Sequence, residues 1–374
     1  MKAVFFVYTP FQMMVSQLIA SQEGLKESVL IEGYVGNNKH FLEIYDMLKV
    51  ASLWGKTYIM PELPQWDGLV IRSFNDVRKA HRNFNFLKSI IKENQVDTLF
   101  LGENKNQSIR FTAKVFFHLG YKIAFFEEGL AHYISTDVPK KSGFQFNLKV
   151  CLRDVFYYLP LYHVCFAKWR YQPRLPLDAT FPKYSRYSIL PVFNGENEYR
   201  VSSHFEYSEK LRTYLEKNVK NEEGIQCVLL LTQPLDEAYS EVENFEDVYV
   251  NVIDEALHEI SETAKVYIKF HPRDTGILRK RLLKLLNDKN IKYGILSQEI
   301  NLPVEIFLQH MKFEKVFFFY SSTFAYNGYL FPKQQFVCLL PQLNKKCVDI
   351  AGHDFDYYHH VMSFFDELTK KIKA

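Results

Sequence analysis

Basic side chains stand together where a strongly apolar run in the second half of the chain comes to an end. Lys269 lies within the run 264–270, and His271, Pro272 and Arg273 follow it directly. If Lys269 ends a buried strand, its side chain lies on the same face as that of His271. Bases at a strand end that faces a helix N-terminus form a receptor for a phosphate group. An ordinary strand end with solvated bases is the alternative.

Hydroxyl and amide side chains follow two other apolar runs. Ser321 and Ser322 come after 316–320, and Thr232 and Gln233 come after 226–231. Serine hydroxyls and free backbone N–H groups at the start of a helix suit a phosphate. Thr232 and Gln233 offer polar contacts to a base or a ribose. The structural alternatives are an N-cap serine and a turn ahead of a proline.

Two sets of carboxylates occupy comparable positions. Glu127 and Glu128 precede Gly129 at the end of the run 122–126, and a partly desolvated carboxylate there can act as a general base. Glu305 falls early in a predicted short helix, where a carboxylate can accept from both hydroxyls of a ribose. A turn with two solvated acids and an ordinary acid in the first turn of a helix are the alternatives.

A fourth polar group follows the first apolar run of the chain, 3–8. Thr9 is a good N-cap and Pro10 is favoured at the first position of a helix, so a helix is predicted from there to about residue 21. Thr9 and Gln12, at the start and in the first turn of this helix, are predicted to line a cleft.

The elements that must position these groups alternate along the chain. Short apolar runs typical of buried parallel strands alternate with amphipathic stretches, which predicts an α/β fold with helices on both faces of parallel sheets. In the first half, strands are predicted at 3–8, 28–34, 57–60, 98–101 and 122–126, and helices at 10–21, 41–50, 75–94 and 108–119. In the second half, strands are predicted at 226–231, 264–270, 291–295, 316–320 and 335–340, and helices at 247–262, 276–287, 304–310, 322–330 and 355–372.

The rhythm breaks over 135–200, which carries six prolines and is predicted to be an interdomain region. The 374 residues suit two domains of ordinary size. We therefore expect two doubly wound, Rossmann-like domains at 1–185 and 186–352, followed by a C-terminal helix at 353–374.

Composition narrows the classes of partner. A formal net charge of +3 gives no reason to expect nucleic acid binding. The segment 140–187 contains nine Lys or Arg residues but only two acids, with aromatic residues interleaved among them. This cluster indicates either a patch for an anionic lipid surface, glycan or nucleotide, or a solvated interdomain surface. Five dispersed cysteines indicate neither a disulfide framework nor a zinc site and fit a cytoplasmic protein. Because no apolar run reaches the length of a membrane span, any membrane contact is expected to be peripheral.

Taken in order, the motifs TPFQ, EEG, TQP, KxHP, PxE and SS resemble those of the bacterial sialyltransferases of GT-B type. This group includes lipooligosaccharide sialyltransferases and polysialyltransferases, and the resemblance spans about residues 3–330. It implies two facing Rossmann-like domains, with the terminal helix packing back on the first domain. Each motif is short, and the specificity lies in their order and in their placement after apolar runs.

The resemblance also implies a role for each position. His271 would contact the phosphate of CMP and assist its departure, with Lys269 and Pro272 beside it, and Ser321 and Ser322 would bind the same phosphate. Glu305 would hold the ribose, and Glu127 would deprotonate the acceptor, with Glu128 structural or lining the acceptor cleft. In part of the group the base resembles a later carboxylate instead, which leaves these alternatives open: Asp236, Glu241, Glu243, Glu246 and Asp247.

The implied reaction is an inverting transfer of sialic acid from CMP-Neu5Ac to a glycan, expected to be a terminal galactose of lipooligosaccharide. No cofactor and no metal are implied, since the one DxD, Asp354-Phe355-Asp356, reads best as the N-cap of the last helix. The alternatives are a capsular or polysialic acid transferase, a transferase that uses another sugar nucleotide, and a non-catalytic binding protein of polysaccharide assembly. A homodimer is a further open alternative.

Overall fold

The computed structural model describes residues 2–373 with gaps at 35–39, 62–73, 103–112, 114–115, 118, 128, 130–184, 192–196, 202–204, 220–223, 262, 272, 275 and 298–299. The chain forms two compact units, Met1–Lys210 and Leu211–Ala374. Each unit is built around a parallel β-sheet.

The first unit contains a seven-stranded sheet with the strand order β3-β2-β1-β4-β5-β6-β7. All six strand pairings are parallel. Strands β1, β2 and β4 are buried along their whole length, which explains why they read as unbroken apolar runs. The strands are β1 Ala3–Val7, β2 Ser28–Glu32, β3 Trp54–Ile59, β4 Thr98–Gly102, β5 Lys122–Phe126, β6 Ser185–Ser188 and β7 Glu198–Arg200.

Three helices of this unit connect its early strands. They are α1 Pro10–Gln22, α2 His40–Leu48 and α3 Phe74–Asn94. Helix α1 begins as its sequence predicts, because the Thr9 hydroxyl accepts a hydrogen bond from Gln12 N at 3.2 Å and Pro10 takes the first helical position. The core includes a stacked pair, Phe5 of β1 and Phe100 of β4, with ring centroids 4.3 Å apart.

The second unit contains a five-stranded parallel sheet with the order β10-β9-β8-β11-β12. The strands are β8 Cys227–Leu231, β9 Lys265–Lys269, β10 Lys292–Ile295, β11 Lys315–Phe318 and β12 Gln335–Cys338. The helices are α4 Glu209–Asn218, α5 Phe245–Leu257, α6 Gly276–Asp288, α7 Val304–His310, α8 Leu340–Ala351 and α9 Asp356–Lys373. Helix α4 is described with this unit, although its first two residues, Glu209 and Lys210, precede Leu211.

The last helix packs onto the end of β11 through aromatic contacts. Phe365 of α9 lies 4.7 Å from Phe324, 5.8 Å from Tyr320 and 6.2 Å from Phe318, measured between ring centroids. These contacts fix α9 to the second unit. Among the described helices, none combines the length and the apolar character needed to cross a lipid bilayer.

The predicted α/β architecture with two Rossmann-like parallel sheets is confirmed. The predicted helix 322–330 is shorter: a 3-10 helix covers only Ser322–Tyr326. Helices α4 and α8 are additional to the prediction. Strands β6 and β7 lie within the segment predicted to be interdomain, and both pair in the first sheet. Strand β6 spans the predicted boundary at 185, and β7 lies beyond it. The predicted helix 108–119 and the cluster 140–187 lie largely outside the described residues.

Candidate functional site

The carboxyl ends of β8, β9 and β11 are adjacent in the second sheet, with β8 between the other two. Ligands of open α/β sheets bind outside these strand ends, at the point where the strand order reverses, which here lies between β8 and β11. Most predicted donor-site residues end or follow these three strands, whereas Glu305 lies in α7, after β10. Thr232 N donates to Lys269 O at 3.2 Å, which extends the pairing of β8 and β9 by one residue.

Asp274 forms hydrogen bonds with both backbone polar groups of His271. The N–H of His271 lies between two acceptors, Asp274 Oδ2 at 2.8 Å and Thr232 Oγ1 at 3.0 Å. Its carbonyl oxygen accepts from Asp274 N at 2.9 Å. The Thr232 hydroxyl in turn donates to Asp274 Oδ2. The turn that follows β9 is therefore tied to the end of β8 through a carboxylate and a hydroxyl.

The ring of His271 has a defined tautomer. Its Nδ1 accepts from Arg273 N at 3.2 Å, so the ring proton is assigned to Nε2. Burial lowers the pKa of His271, and the charges of Arg273 and Lys269 lower it further. At neutral pH the ring is therefore an uncharged imidazole whose Nε2–H is available as a hydrogen-bond donor.

Lys269 supplies the positive charge beside this ring. Its Nζ donates to Asn301 Oδ1 at 2.6 Å. Burial lowers the pKa of Lys269 to about 8, against the attraction of the Glu305 and Asp274 carboxylates, which raises it. The ammonium group is thus mostly protonated at neutral pH and loses its proton in mildly alkaline solution.

Glu305 is buried at the start of α7, with 7% of its surface exposed. Its Oε1 accepts from the Thr323 hydroxyl at 2.8 Å, and Thr323 N donates to Ser321 Oγ at 3.3 Å. Burial raises the pKa of Glu305, while hydrogen bonds to its own backbone and from Thr323 lower it. Ser321 is the N-cap of the 3-10 helix and is half-buried, and Ser322 is exposed. The predicted ribose partner Glu305 and one predicted phosphate partner, Ser321, are thus linked through Thr323.

Gln233 spans the ends of β8 and β11. Its N donates to the hydroxyl of the fully buried Tyr249 at 3.0 Å, and Tyr249 stacks on Phe319 with ring centroids 4.2 Å apart. With its amide nitrogen oriented toward the two carbonyls, the side chain donates to Thr232 O and Tyr320 O, each at 3.2 Å. Pro272, the remaining predicted donor-site residue, lies outside the described residues.

In the first unit, Glu127 follows β5 and is fully buried. Its Oε2 accepts from Ile189 N, just beyond β6, at 2.6 Å. A backbone N–H donor stabilises the ionised form of a carboxylate. Gly129, the third residue of the EEG motif, has a φ of +114°, a conformation that side chains with a Cβ rarely adopt. Glu128 lies outside the described residues.

Gln12 is also fully buried, and its Oε1 accepts from Tyr8 N at 2.9 Å. Its amide nitrogen has no hydrogen-bond partner among the described residues, and it packs against Gly102 at the end of β4. Thr9 caps α1 as described above. Gln12 thus joins the ends of two neighbouring strands rather than lying exposed in a cleft.

The alternative bases between 236 and 247 differ in their surroundings. Asp236 is half-buried, and its charge contributes to raising the pKa of Asp274, so it lies in the electrostatic range of the His271 turn. Glu241 pairs with His353 at 3.0 Å, and Asp247 pairs with Arg281. Glu243 is exposed and Glu246 is half-buried.

The DxD segment behaves as a helix start. Asp354 Oδ1 accepts from Phe355 N at 3.0 Å, and its Oδ2 contacts His359 Nε2 at 2.7 Å. Over the residues that the structure describes, no three His, Cys, Asp or Glu side chains group in a way that would hold a metal ion.

Sequence reasoning missed three residues of this site: Asp274, Asn301 and Thr323. Asp274 is two residues ahead of α6 and would have been read as a helix cap. Asn301 reaches Lys269 from the segment ahead of α7, and Thr323 reaches Glu305 from the 3-10 helix. No spacing in the sequence signals these contacts. In the sequence, only the short polar segments before α6 and α7 indicate that such residues could belong to the site.

Solved structures of nucleotide-sugar enzymes align with the whole chain loosely. UDP-GlcNAc 2-epimerase from Neisseria meningitidis bound to UDP-GlcNAc is 10% identical with a TM-score of 0.46, covering 100% of this chain and 94% of that one. ADP-heptose lps heptosyltransferase II from E. coli is 10% identical with a TM-score of 0.45, covering 100% of both chains. MurG from Acinetobacter baumannii is 10% identical with a TM-score of 0.41, covering 98% of this chain and 100% of that one. These likenesses carry no conclusion about ligand or reaction.

No curated protein sequence matches the chain significantly. The sequence model of one family, alpha-2,8-polysialyltransferase (POLYST), matches residues 3–340. The match includes both sheets and every predicted site residue, in agreement with the resemblance drawn from the motifs. The chain therefore belongs to the alpha-2,8-polysialyltransferase family and is a glycosyltransferase of the sialyltransferase class.

Proposed function

We propose that the protein transfers sialic acid from CMP-Neu5Ac to the hydroxyl of a glycan, with inversion and without a metal ion. The observation that carries the donor assignment is the cluster at the ends of β8 and β9. There, the ammonium group of Lys269, bonded to Asn301 at the end of β9, precedes by two residues a neutral imidazole with an Nε2–H donor. A phosphate monoester is an anion that matches both groups.

The leaving group decides what the site must supply. As the bond between the anomeric carbon and the phosphate oxygen breaks, negative charge grows on the phosphate of CMP. Lys269 neutralises this charge, and His271 donates a hydrogen bond from Nε2 to it, with Ser321 and Ser322 as further donors. Preorganised donors of this kind can stabilise the departing phosphate without a metal ion.

Glu305 is the proposed partner of the ribose. Its Oε1 accepts from the Thr323 hydroxyl at 2.8 Å, and its second oxygen is the proposed acceptor for the ribose hydroxyls. A buried carboxylate with only part of its capacity used can accept from sugar hydroxyls. Gln233, at the adjoining strand end, is the proposed contact to the cytosine base.

Inversion requires one displacement, in which the acceptor oxygen bonds to the anomeric carbon while its proton passes to a carboxylate. Glu127 is the proposed base, because its ionised form is favoured by the N–H of Ile189. Asp236 is the alternative base, because it is half-buried and lies in the electrostatic range of the His271 turn.

The acceptor has two candidates. The motifs favour a terminal galactose of lipooligosaccharide, as a single transfer. The family match favours the second candidate, in which the enzyme extends an already sialylated acceptor in the manner that the family's name describes. A cytoplasmic location, a peripheral contact of the basic segment 140–187 with a membrane and a homodimer belong to the same proposal.

The test is a transfer assay with the purified full chain, CMP-Neu5Ac and EDTA. One arm contains lactose and the other contains a sialyl-lactose, and products are separated by mass. A sialylated product with lactose identifies single transfer to galactose, and extension only of the sialyl-lactose identifies the elongating enzyme. Absence of both products and of CMP release, with no binding of the donor, contradicts the proposed function.

Two controls make the assay specific. The His271→Ala protein reports background hydrolysis of the donor, since that donor is labile without enzyme. Repeating the reaction with added Mg²⁺ in place of EDTA checks the metal requirement, and a rate that depends on Mg²⁺ contradicts that part of the proposal.

A further inference from the structure

Asp274 makes more contacts to the His271 turn than the turn needs in order to form. A turn of this kind closes through the bond from Asp274 N to His271 O alone, at 2.9 Å. The side chain adds a second attachment, because its Oδ2 accepts from His271 N at 2.8 Å and from the Thr232 hydroxyl. Both backbone polar groups of His271 are thus bonded to the same residue.

These attachments determine where the imidazole points. The ring is oriented by the bond from Arg273 N to its Nδ1, at 3.2 Å, and Arg273 lies between the two ends of the turn that Asp274 closes. Loosening the Asp274 carboxylate therefore frees the backbone that carries this donor. The tautomer of His271, with its proton on Nε2, depends on the same contact.

The carboxylate is kept in this position at a cost to stability. Its other oxygen, Oδ1, is buried and has no hydrogen-bond partner within the part of the chain that the structure describes. Burial raises the pKa of Asp274, against the hydrogen bonds from Thr232 and His271, which lower it. A buried polar atom without a partner disfavours folding, so the needs of packing alone do not explain a carboxylate here.

We propose that Asp274 is the positioning residue of the transferase: it fixes the turn that presents His271 Nε2–H to the departing phosphate. This inference rests on the function proposed for His271 and adds a residue to it. Thr232 is the partner through which Asp274 anchors the turn to β8. As a positioning residue, Asp274 acts through the groups that it orients and not by contact with donor or acceptor.

Its negative charge has a second consequence. The Asp274 carboxylate helps to keep the buried Lys269 protonated, together with Glu305. An asparagine at this position preserves a hydrogen-bond acceptor and removes the charge, whereas an alanine removes both. The two variants therefore separate the positioning of His271 from the electrostatic support of Lys269.

The experiment compares three full-length variants: Asp274→Ala, Asp274→Asn and, as a matched control, Asp288→Ala, which removes an exposed acid at the end of α6. The first measurement is the tautomer of His271 by NMR of 15N-histidine-labelled protein, with the His271→Ala spectrum used for assignment. The second is the steady-state rate with CMP-Neu5Ac over a range of pH.

For Asp274→Ala we expect a mixture of His271 tautomers and a kcat lower by about 10–100-fold, with a donor KM within about threefold, because misplacement of a catalytic group by ~1 Å has an effect of this size. Asp274→Asn should restore the Nε2–H tautomer and most of kcat. As the pH is raised, its activity should begin to fall at a lower pH than that of the wild type. The reason is that the pKa of Lys269 decreases when the negative charge of Asp274 is removed. Asp288→Ala should match the wild type in both measurements.

An Asp274→Ala protein that keeps the wild-type tautomer and kcat overturns the proposal. So does an Asp274→Asn protein that is folded and yet as slow as Asp274→Ala with a mixed tautomer. The spectrum does not depend on turnover: if the wild type transferred no sialic acid while Asp274→Ala still lost the tautomer, the positioning of His271 would stand and only the reaction assigned to it would fail.

Discussion

The two units place the same three residue types at the same point of the same strand order. In each unit the next two strands lie on one side of the first strand and the two after them lie on its other side. The order is β3-β2-β1-β4-β5 within the seven-stranded sheet and β10-β9-β8-β11-β12 in the five-stranded one. A threonine, a proline and a glutamine follow the first strand of both units, as Thr9, Pro10 and Gln12 and as Thr232, Gln233 and Pro234.

The two glutamines make opposite use of this position. Gln12 is fully buried, with its amide between Tyr8 and Gly102, and Thr9 caps a long helix. Gln233 is half-buried, and Thr232 bonds to the turn after the neighbouring strand. The strand order predicts a crevice at this point in both units. In the first unit the buried Gln12 fills it, and in the second unit the proposed function assigns it to the donor.

The largest effect on the transfer rate is expected at Glu127, the buried carboxylate of the first unit that is the proposed base. Glu127→Gln keeps an acceptor for Ile189 N and removes the base, so transfer should fall by about 10²–10⁴-fold while CMP binding stays unchanged. The measurement is kcat in the transfer assay beside the CMP dissociation constant. Asp236→Asn is the paired variant, and if it shows this loss instead, both donor site and base belong to the second unit.

His271→Ala tests the strand ends of the second unit, where the donor is proposed to bind. Loss of one preorganised donor to the departing phosphate should lower kcat/KM by about 10²–10³-fold. Release of CMP, followed by chromatography, measures the rate. His310→Ala on helix α7 of the same unit is a control that should retain activity. A His271→Ala protein with wild-type kinetics would contradict the role of this turn.

Gly102→Ala tests the filled crevice of the first unit. The added Cβ would overlap the amide of Gln12, so Gln12 must move and give up its bond from Tyr8 N. We expect a loss of about 1–3 kcal/mol in the free energy of unfolding, measured from urea denaturation, with CMP affinity unchanged. Combining Gly102→Ala with Gln12→Ala removes the overlap, and the pair should therefore be less destabilised than the separate losses add up to. Strict additivity would show that the two groups do not interact.

The smallest expected effect is a pH dependence of CMP affinity, which distinguishes Lys269 from His271. Because the pKa of Lys269 is about 8, its ammonium group is present below that pH and is lost above it. CMP affinity should therefore fall above pH 8, approaching tenfold per pH unit. His271 cannot cause this fall, because its pKa lies below 6.5. Calorimetry in two buffers should show proton uptake on CMP binding near pH 8, and Lys269→Met should abolish both effects.

The sequence predicted the strands and the strand-end residues because buried parallel strands leave uninterrupted apolar runs. The run 226–231 contains β8, and α7 was predicted with its observed bounds, Val304–His310. Helix α4 was missed because only Leu211 and Leu215 of it are buried, which leaves too weak a period to recognise.

The network within the site could not be predicted in the same way. Lys269 of β9 bonds Asn301 ahead of α7, and Glu305 of α7 bonds Thr323 of the 3-10 helix, so these contacts join separate elements. Such contacts follow from the pairing of strands and not from local spacing. The burial of Gln12 is similar, because the glycine that makes room for it, Gly102, lies at the end of another strand.

Strand β6 is synthesised well after its neighbour β5, which affects folding during translation and the behaviour of truncated proteins. Strand β5 is complete at Phe126, but its neighbour β6 begins only at Ser185, so β5 presents an unpaired edge while the intervening chain leaves the ribosome. At ~5–20 residues per second this interval lasts several seconds. A fragment cut at residue 185 would keep that edge permanently and lose Ile189, the donor that Glu127 requires, so it should self-associate. Expression of the first unit alone should extend to Lys210.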